Sequence, residues 1–247
     1  MMRTSNPALS DDLFRSFGTL ERSDHMTLQG TVNKTGFLLA LVILGAALTW
    51  TLALSGNPAV TGLLLLGTIG GLIAAVATIF KKEWAPYCAP IYAVCEGLFL
   101  GGFSAILETR YPGIVMQAVG MTFGTLFCLL GAYKSRLIQV TENFKMGIVA
   151  ATGGLAMVYF VSWILSMFGL PMGFIHGSGL ISIGFSLVVV TIAALNLVLD
   201  FDFIESGVQA GAPRYMEWYG AFGLMVTLIW LYIEIVRLLA KLRDRQD

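Results

Sequence analysis

Long apolar runs alternate with short polar breaks along almost the whole chain, and the runs are too long to be strands. Seven of them read as helices: Gly36–Leu54, Ala59–Phe80, Cys88–Leu107, Ile114–Tyr133, Met146–Phe168, Ser178–Leu199 and Trp218–Leu239. Each approaches or exceeds roughly 20 residues, enough to carry a helix across about 30 Å of hydrocarbon. The breaks are short, among them "SGNP", "KKEWAPY", "ETRYPG" and "GLPMGFIHG", and none leaves room for a soluble domain. The pattern divides the chain into a polar tail (1–34), a seven-segment membrane domain (35–242) and a short charged end (243–247). In the tail, Leu9, Leu13, Phe14 and Phe17 fit one helical face, which reads either as a short interfacial helix or as a tail without fixed structure. No cleavable signal peptide is expected.

Composition agrees with the pattern. The 247 residues are 57% hydrophobic and 12% charged, with mean hydropathy +0.79, against about 25% charged in a soluble domain. Lys plus Arg and Asp plus Glu both number 15, so no charge excess points to nucleic acid. Cys88, Cys95 and Cys128 all lie in apolar segments and read as small buried hydrophobes, not disulfides or metal ligands.

Charge also orients the spans. With the N-terminus inside, Arg3, Arg15, Arg22, Lys34, Lys81, Lys82, Lys134, Arg136, Lys145 and Arg214 fall inside, and Arg110 falls in an outside loop. Arg237, Lys241, Arg243 and Arg245 break that pattern if the last segment crosses fully, so its crossing stays open. Gly67/Gly71, Gly97/Gly101 and Gly120/Gly124, with Ser178, Ser182 and Ser186, are small residues four apart. They predict close packing of helices within the bundle.

Acids inside apolar runs are the residues most open to a chemical role. Glu234 stands in "TLIWLYIEIVRLL", where an acid costs about 2.5–3.5 kcal/mol at a helix centre. It needs a partner: Arg237 one turn on, Lys81 or Lys82 from the end of the second span, or Asp200 from the end of the sixth. An Asp200–Glu234 pair in a low-dielectric site would share a proton and titrate as a unit. Deprotonated, it would repel or take up a hard cation such as calcium. In "NLVLDFDFIESG", Asp202 and Glu205 read as acids meeting headgroup water, and Asn196 shares the Asp200 face. Glu96 in "YAVCEGLFLGG" is either a satisfied polar contact or part of an ion path, to which Asn196 and Asp202 would also contribute. Glu217 reads as interfacial. Catalysis is not expected: the histidines, His25 and His176, lie in the tail and a loop, and no zinc or intramembrane protease pattern appears.

At "APRYMEWYGAFGLMVTLIWLYIEIVRLL", following "LVLDFDFIESG", the sequence resembles the Bax inhibitor family, the transmembrane Bax-inhibitor-motif proteins, and most closely a bacterial branch. "MTLQGTVNKTG", "APIYAVCEGLFLGGFSA" and "YPGIVMQAVGMTFGTLFCLL" fit the same branch, so the resemblance runs from about Met26 to the end. It implies an all-α integral membrane protein of the bacterial inner membrane, a seven-helix bundle with a central last helix. It implies a pH-sensitive leak for cations, chiefly calcium, gated by protons on a di-aspartyl pair. The sixth-helix Asp falls on Asp200, where "LDFDFI" matches Asp-x-x-x-Ile. The seventh-helix Asp falls on Glu234, where "LYIE" replaces Leu-Tyr-Leu-Asp. A basic gating partner falls on Lys81, with Lys82 as the other register. Two departures stand out: Glu234 is one methylene longer than Asp, and Lys81 replaces an Arg and lacks its bidentate fork. The resemblance also implies stress protection and regulation of membrane-protein quality control. A partner such as a membrane protease would serve that role without ion flux. No bound cofactor is implied; membrane lipid, calcium and protons are the expected small partners.

Overall fold

The computed structural model describes residues 25–170, 177 and 179–245. The tail segment around Leu9 to Phe17, and His176 and Ser178, lie outside the described residues. Seven long helices follow one another: α1 (Leu28–Leu54), α2 (Ala59–Phe80), α3 (Ala85–Arg110), α4 (Ile114–Lys134), α5 (Glu142–Met167), α6 (Leu180–Gln209) and α7 (Met216–Asp244). A short 3-10 turn, Lys82–Trp84, joins α2 to α3. All seven are long and apolar enough to cross a membrane, and the protein is an all-α, multi-pass membrane protein.

Each predicted span is a helix, but three bounds move by five residues or more. The first helix starts at Leu28, eight residues before the apolar run, because Thr27 caps it: its hydroxyl accepts from the Gly30 N–H. The "DFDFIE" acids are not a connection, since α6 runs on to Gln209 and carries them on helix. The last helix likewise extends to Asp244. Gly211, at φ +68°, makes the turn after α6, a conformation that a side chain with a Cβ resists. At the head of α4, Glu108 accepts from the Gly113 and Val115 N–H groups at 2.5 and 3.1 Å, supplying acceptors that a helix start lacks.

Burial identifies what faces lipid. Leu44, Leu65, Ile73, Phe80, Met116, Phe127 and Ile181 are exposed, far more apolar surface than a water-soluble monomer tolerates. The central stretch of α7 is 61% buried and that of α3 56%, whereas the other spans reach 33% at most. The last helix is thus the most enclosed of the seven. Hydroxyls inside the spans turn back on their own helix: Thr49, Thr78 and Thr122 donate to the carbonyls of Gly45, Ala74 and Ala118. In hydrocarbon, where water is absent, that is how a polar side chain is satisfied.

The chain forms two compact units. One combines the first three spans, up to Ala105, with Asp202–Met225; the other combines Ile106–Phe201 with the chain from Val226 onward. In the first, glycines bring helices into backbone contact. A Cβ on Gly97 would meet the Val42 carbonyl at 2.5 Å, one on Gly101 would collide with Thr49 and Ala46, and one on Gly67 would lie 2.6 Å from the Cys95 carbonyl. Gly120 and Gly124 face open space instead, so the predicted packing role fails there. Ser182 and Ser186 are buried and supply oxygen acceptors to Lys241. Cys95 is buried and Cys88 partly so, whereas Cys128 is exposed, against the expectation of burial.

Candidate functional site

In the second unit, the face of α7 that begins at Thr227 carries two acid environments. Asp200 arrives from α6 and takes a hydrogen bond from Thr227. Its Oδ2 is sealed from solvent and has no hydrogen-bond partner among the described residues. A buried carboxylate oxygen left this way is expensive if the group is charged.

Glu234 lies two helical turns beyond Thr227, about 10 Å along the axis. Its side chain is only 3% exposed. Arg237 Nη1 donates to Oε1 at 3.0 Å and the Tyr159 hydroxyl reaches the same oxygen at 3.3 Å. Tyr159 is itself held edge-on against Phe185 of α6. Of the three partners open to Glu234 from sequence, the one realised in these contacts is Arg237, the residue one turn later on its own helix.

The remaining candidates disperse. Asn196, one turn before Asp200 on α6, donates to Thr152 at 2.8 Å and to the Ile192 carbonyl at 2.8 Å, tying α6 to α5. Asp202 is half-buried in the first unit. Glu96 is half-buried on α3, with its carboxylate against Gly71 of α2 where a Cβ would sit 2.8 Å from Oε1. Lys81 Nζ lies 4.2 Å from the Trp84 ring centroid, and Lys82 Nζ 5.5 Å from that of Tyr219. Both are cation–π contacts at the end of α2. No cluster of three or more His, Cys, Asp or Glu able to hold a metal occurs among the described residues.

Two groups escaped the sequence reading. Lys241 donates to Ser186 Oγ at 2.7 Å and reaches the Ser182 carbonyl at 3.4 Å, so a cation one turn beyond Arg237 also points into the second unit. Glu217, read as interfacial, is 2% exposed. Its Oε1 accepts from the Thr27 N–H at 2.9 Å and the Thr27 hydroxyl at 2.8 Å, and Oε2 pairs with Lys34. Nothing local marks either contact, since the partners stand 55 to 190 positions apart.

Both ends of α7 are tied. At its start, Thr27 holds Glu217, His25 Nδ1 pairs with the Gly211 carbonyl at 2.8 Å, and Met26 N donates to the Ala212 carbonyl. At its end, Arg243 donates to the Pro112 carbonyl at 2.7 Å, and Asp244 takes Arg110 at 3.4 Å and the Tyr111 hydroxyl. The last helix therefore begins beside the start of α1 and ends beside the end of α3.

Comparison with known proteins agrees with this architecture. A search of curated proteins and a search of solved structures returned no match. A family model described as Bax inhibitor 1 like matches residues 6–244. That span takes in every helix described above, and the chain belongs to the Bax inhibitor 1 like family.

Proposed function

We propose that this protein is a pH-sensitive cation leak, chiefly for calcium, of the bacterial inner membrane, with Asp200 and Glu234 as its gate. The observation that carries the reading is the partnerless, buried Oδ2 of Asp200 on the α7 face that also presents Glu234. An ionised carboxylate there needs a positive partner; a proton or a metal ion can supply the charge. Protonated, Asp200 is neutral and the path carries no site for a cation. Ionised, it offers oxygen ligands of the kind calcium takes. Glu234 is the second acid of the gate, and it becomes available when Arg237, half exposed, swings out. A shared proton between the two requires α6 and α7 to shift by about two turns relative to the contacts described.

The experiment is calcium efflux from liposomes holding the purified protein across pH 5 to 8, for wild type, Asp200→Asn, Glu234→Gln and the double variant. The expected result is a pH-dependent leak that loses its pH dependence in either single variant, with no further change in the double. Efflux no greater than from empty liposomes at every pH would end the leak reading.

A second reading draws support from the Glu234–Arg237 and Glu234–Tyr159 bonds. If these simply satisfy a structural acid, the protein acts without flux, as a stress-response regulator that binds a membrane protease or another membrane partner. In that case truncating the chain ends abolishes function while the variants at Asp200 and Glu234 leave it intact.

A further inference from the structure

In the first unit, a cavity of about 570 Å³ opens between the start of α1 and the start of α7. Its walls include His25, Asn33, Lys34, Phe37, Arg214 and Trp218, with Glu217 at the back. The polar groups here are unevenly matched. Glu217 is the acid of the pocket, and it already accepts three bonds, two from Thr27 and one from Lys34. Lys34 has three N–H donors, and Glu217 uses one of them. Asn33 spends its carbonyl oxygen on Gln29 at 2.8 Å, which leaves its amide N–H₂ able to donate. Arg214 is exposed and forms no ion pair among the described residues. The pocket thus holds more donors than acceptors and more positive charge than negative.

Its position narrows the acceptor that belongs there. The cavity lies at the first turns of two membrane-spanning helices, the depth at which headgroups sit. Trp218 and Phe37 meet edge-to-face, 6.0 Å between centroids, as aromatic residues do at a membrane interface. Phe37, Leu44 and Leu48 are exposed along one face of α1, so an apolar strip runs from the pocket down α1 toward the bilayer interior. A phosphodiester with acyl chains fits both parts: oxygens to Arg214, Lys34 and Asn33, chains along the strip. Arg is suited to phosphate because its planar fork donates two parallel bonds. Basic pockets between membrane helices hold lipid headgroups in this way.

We propose that this pocket binds the phosphodiester headgroup of an anionic phospholipid in the leaflet that meets the start of α1. The site shares no residue with the Asp200–Glu234 gate, and its test is independent of flux.

The test is native mass spectrometry of the full-length protein titrated with phosphatidylglycerol or phosphatidylcholine. Wild type is compared with Arg214→Gln, Arg214→Lys and Asn33→Asp, each first shown to unfold at the wild-type temperature. Neither side chain bonds to the Glu217 carboxylate, and the Arg214 carbonyl that accepts from the Glu217 N–H is unchanged in the variants, so the fold of the pocket stays in place. The expected result is one retained phosphatidylglycerol, preferred over phosphatidylcholine by about tenfold, and a loss of roughly tenfold in Arg214→Gln and in Asn33→Asp. Arg214→Lys should recover part of the binding, because it restores the charge without the fork. Retention of phosphatidylglycerol at the wild-type level in both Arg214→Gln and Asn33→Asp would overturn the assignment. Displacement of the lipid by inorganic phosphate would overturn its lipid source and give the pocket to a soluble phosphate.

Discussion

Arg237 sits one turn beyond Glu234 on α7 and donates to its carboxylate at 3.0 Å, yet the two side chains differ sharply in burial: 50% exposed against 3%. The acid is fixed and the cation is the partner able to leave. A buried charge that loses its partner costs far more than the pair itself contributes.

That asymmetry predicts a specific double-mutant cycle. Arg237→Ala should lower stability by about 1–2 kcal/mol, less than for a fully buried pair because Arg237 is half exposed. Glu234→Gln should cost less, since the amide keeps a hydrogen bond to Tyr159 and carries no charge. The double variant should recover most of the Arg237→Ala loss. Thermal unfolding in detergent micelles measures all three, and equal Arg237→Ala losses in both backgrounds would show that the two residues are not coupled.

Gly101 predicts a second outcome. Its hydrogen occupies the space where a methyl would strike Thr49 and the Ala46 backbone of α1, so Gly101→Ala should cost about 1–3 kcal/mol by overpacking. Gly97→Ala should behave alike, against the Val42 carbonyl. Gly120→Ala and Gly124→Ala meet nothing and should be neutral or stabilising by up to about 1 kcal/mol, through helix propensity. Melting temperatures that fail to separate the two glycine pairs would refute this account of the α1–α3 contact.

These two cases show what a one-dimensional pattern carries. The spans were legible because crossing a bilayer demands length and apolarity, both local properties. The Glu234–Arg237 pair was legible as an alternative because i, i+3 spacing is also local. The glycine motifs looked identical on paper, but only the neighbouring helix decides which of them is packed, and that is a tertiary fact. The extension of α6 through its acids was missed because three acids in six residues look like a span's end. An α-helix, however, does not stop where hydrocarbon does. Glu217 gave no local sign of its burial, which is likewise a tertiary fact. Its partners, Thr27 and Lys34, are 190 and 183 positions away.

Glu217 accordingly yields a third prediction. It satisfies the Thr27 N–H and hydroxyl and neutralises Lys34, so Glu217→Ala strands a cation and two donors at once. The expected loss is about 2–3 kcal/mol. Gly30→Ala should act in the same direction, because a methyl there collides with the Glu217 carboxylate. Hydrogen exchange should accelerate locally at residues 26–31 and 211–217 in both variants. Unchanged exchange in both would mean that the buried acid does not hold the start of α1 to α7.

The last prediction concerns the sidedness of the C-terminal end, where charge and geometry disagree. Counting Lys and Arg favours keeping Arg237, Lys241, Arg243 and Arg245 on the inside. The contacts place the end of α7 beside Arg110, Tyr111 and Pro112, residues of the loop that the same count puts outside. Geometry should win, because these cations are not bare: Arg243 is bonded to Pro112 and Gln117, Lys241 to Ser186, and Arg237 to Glu234. At 29 residues, α7 is about 43 Å long, ample for a full crossing. The positive-inside bias is statistical and counts charges in loops, whereas these belong to a helix anchored at both ends. Single cysteines at Leu137 and Leu242, in a background with Cys88→Ser, Cys95→Ala and Cys128→Ser, separate the alternatives. Leu137 is exposed on the connection between α4 and α5, on the N-terminal side when the first four spans all cross, and Leu242 is exposed near the end of α7. In sealed, oriented vesicles a membrane-impermeant maleimide should label the two from opposite sides. Labelling of both from one side would mean that α7 turns back, and that its contacts with Arg110 and Pro112 do not form in the membrane.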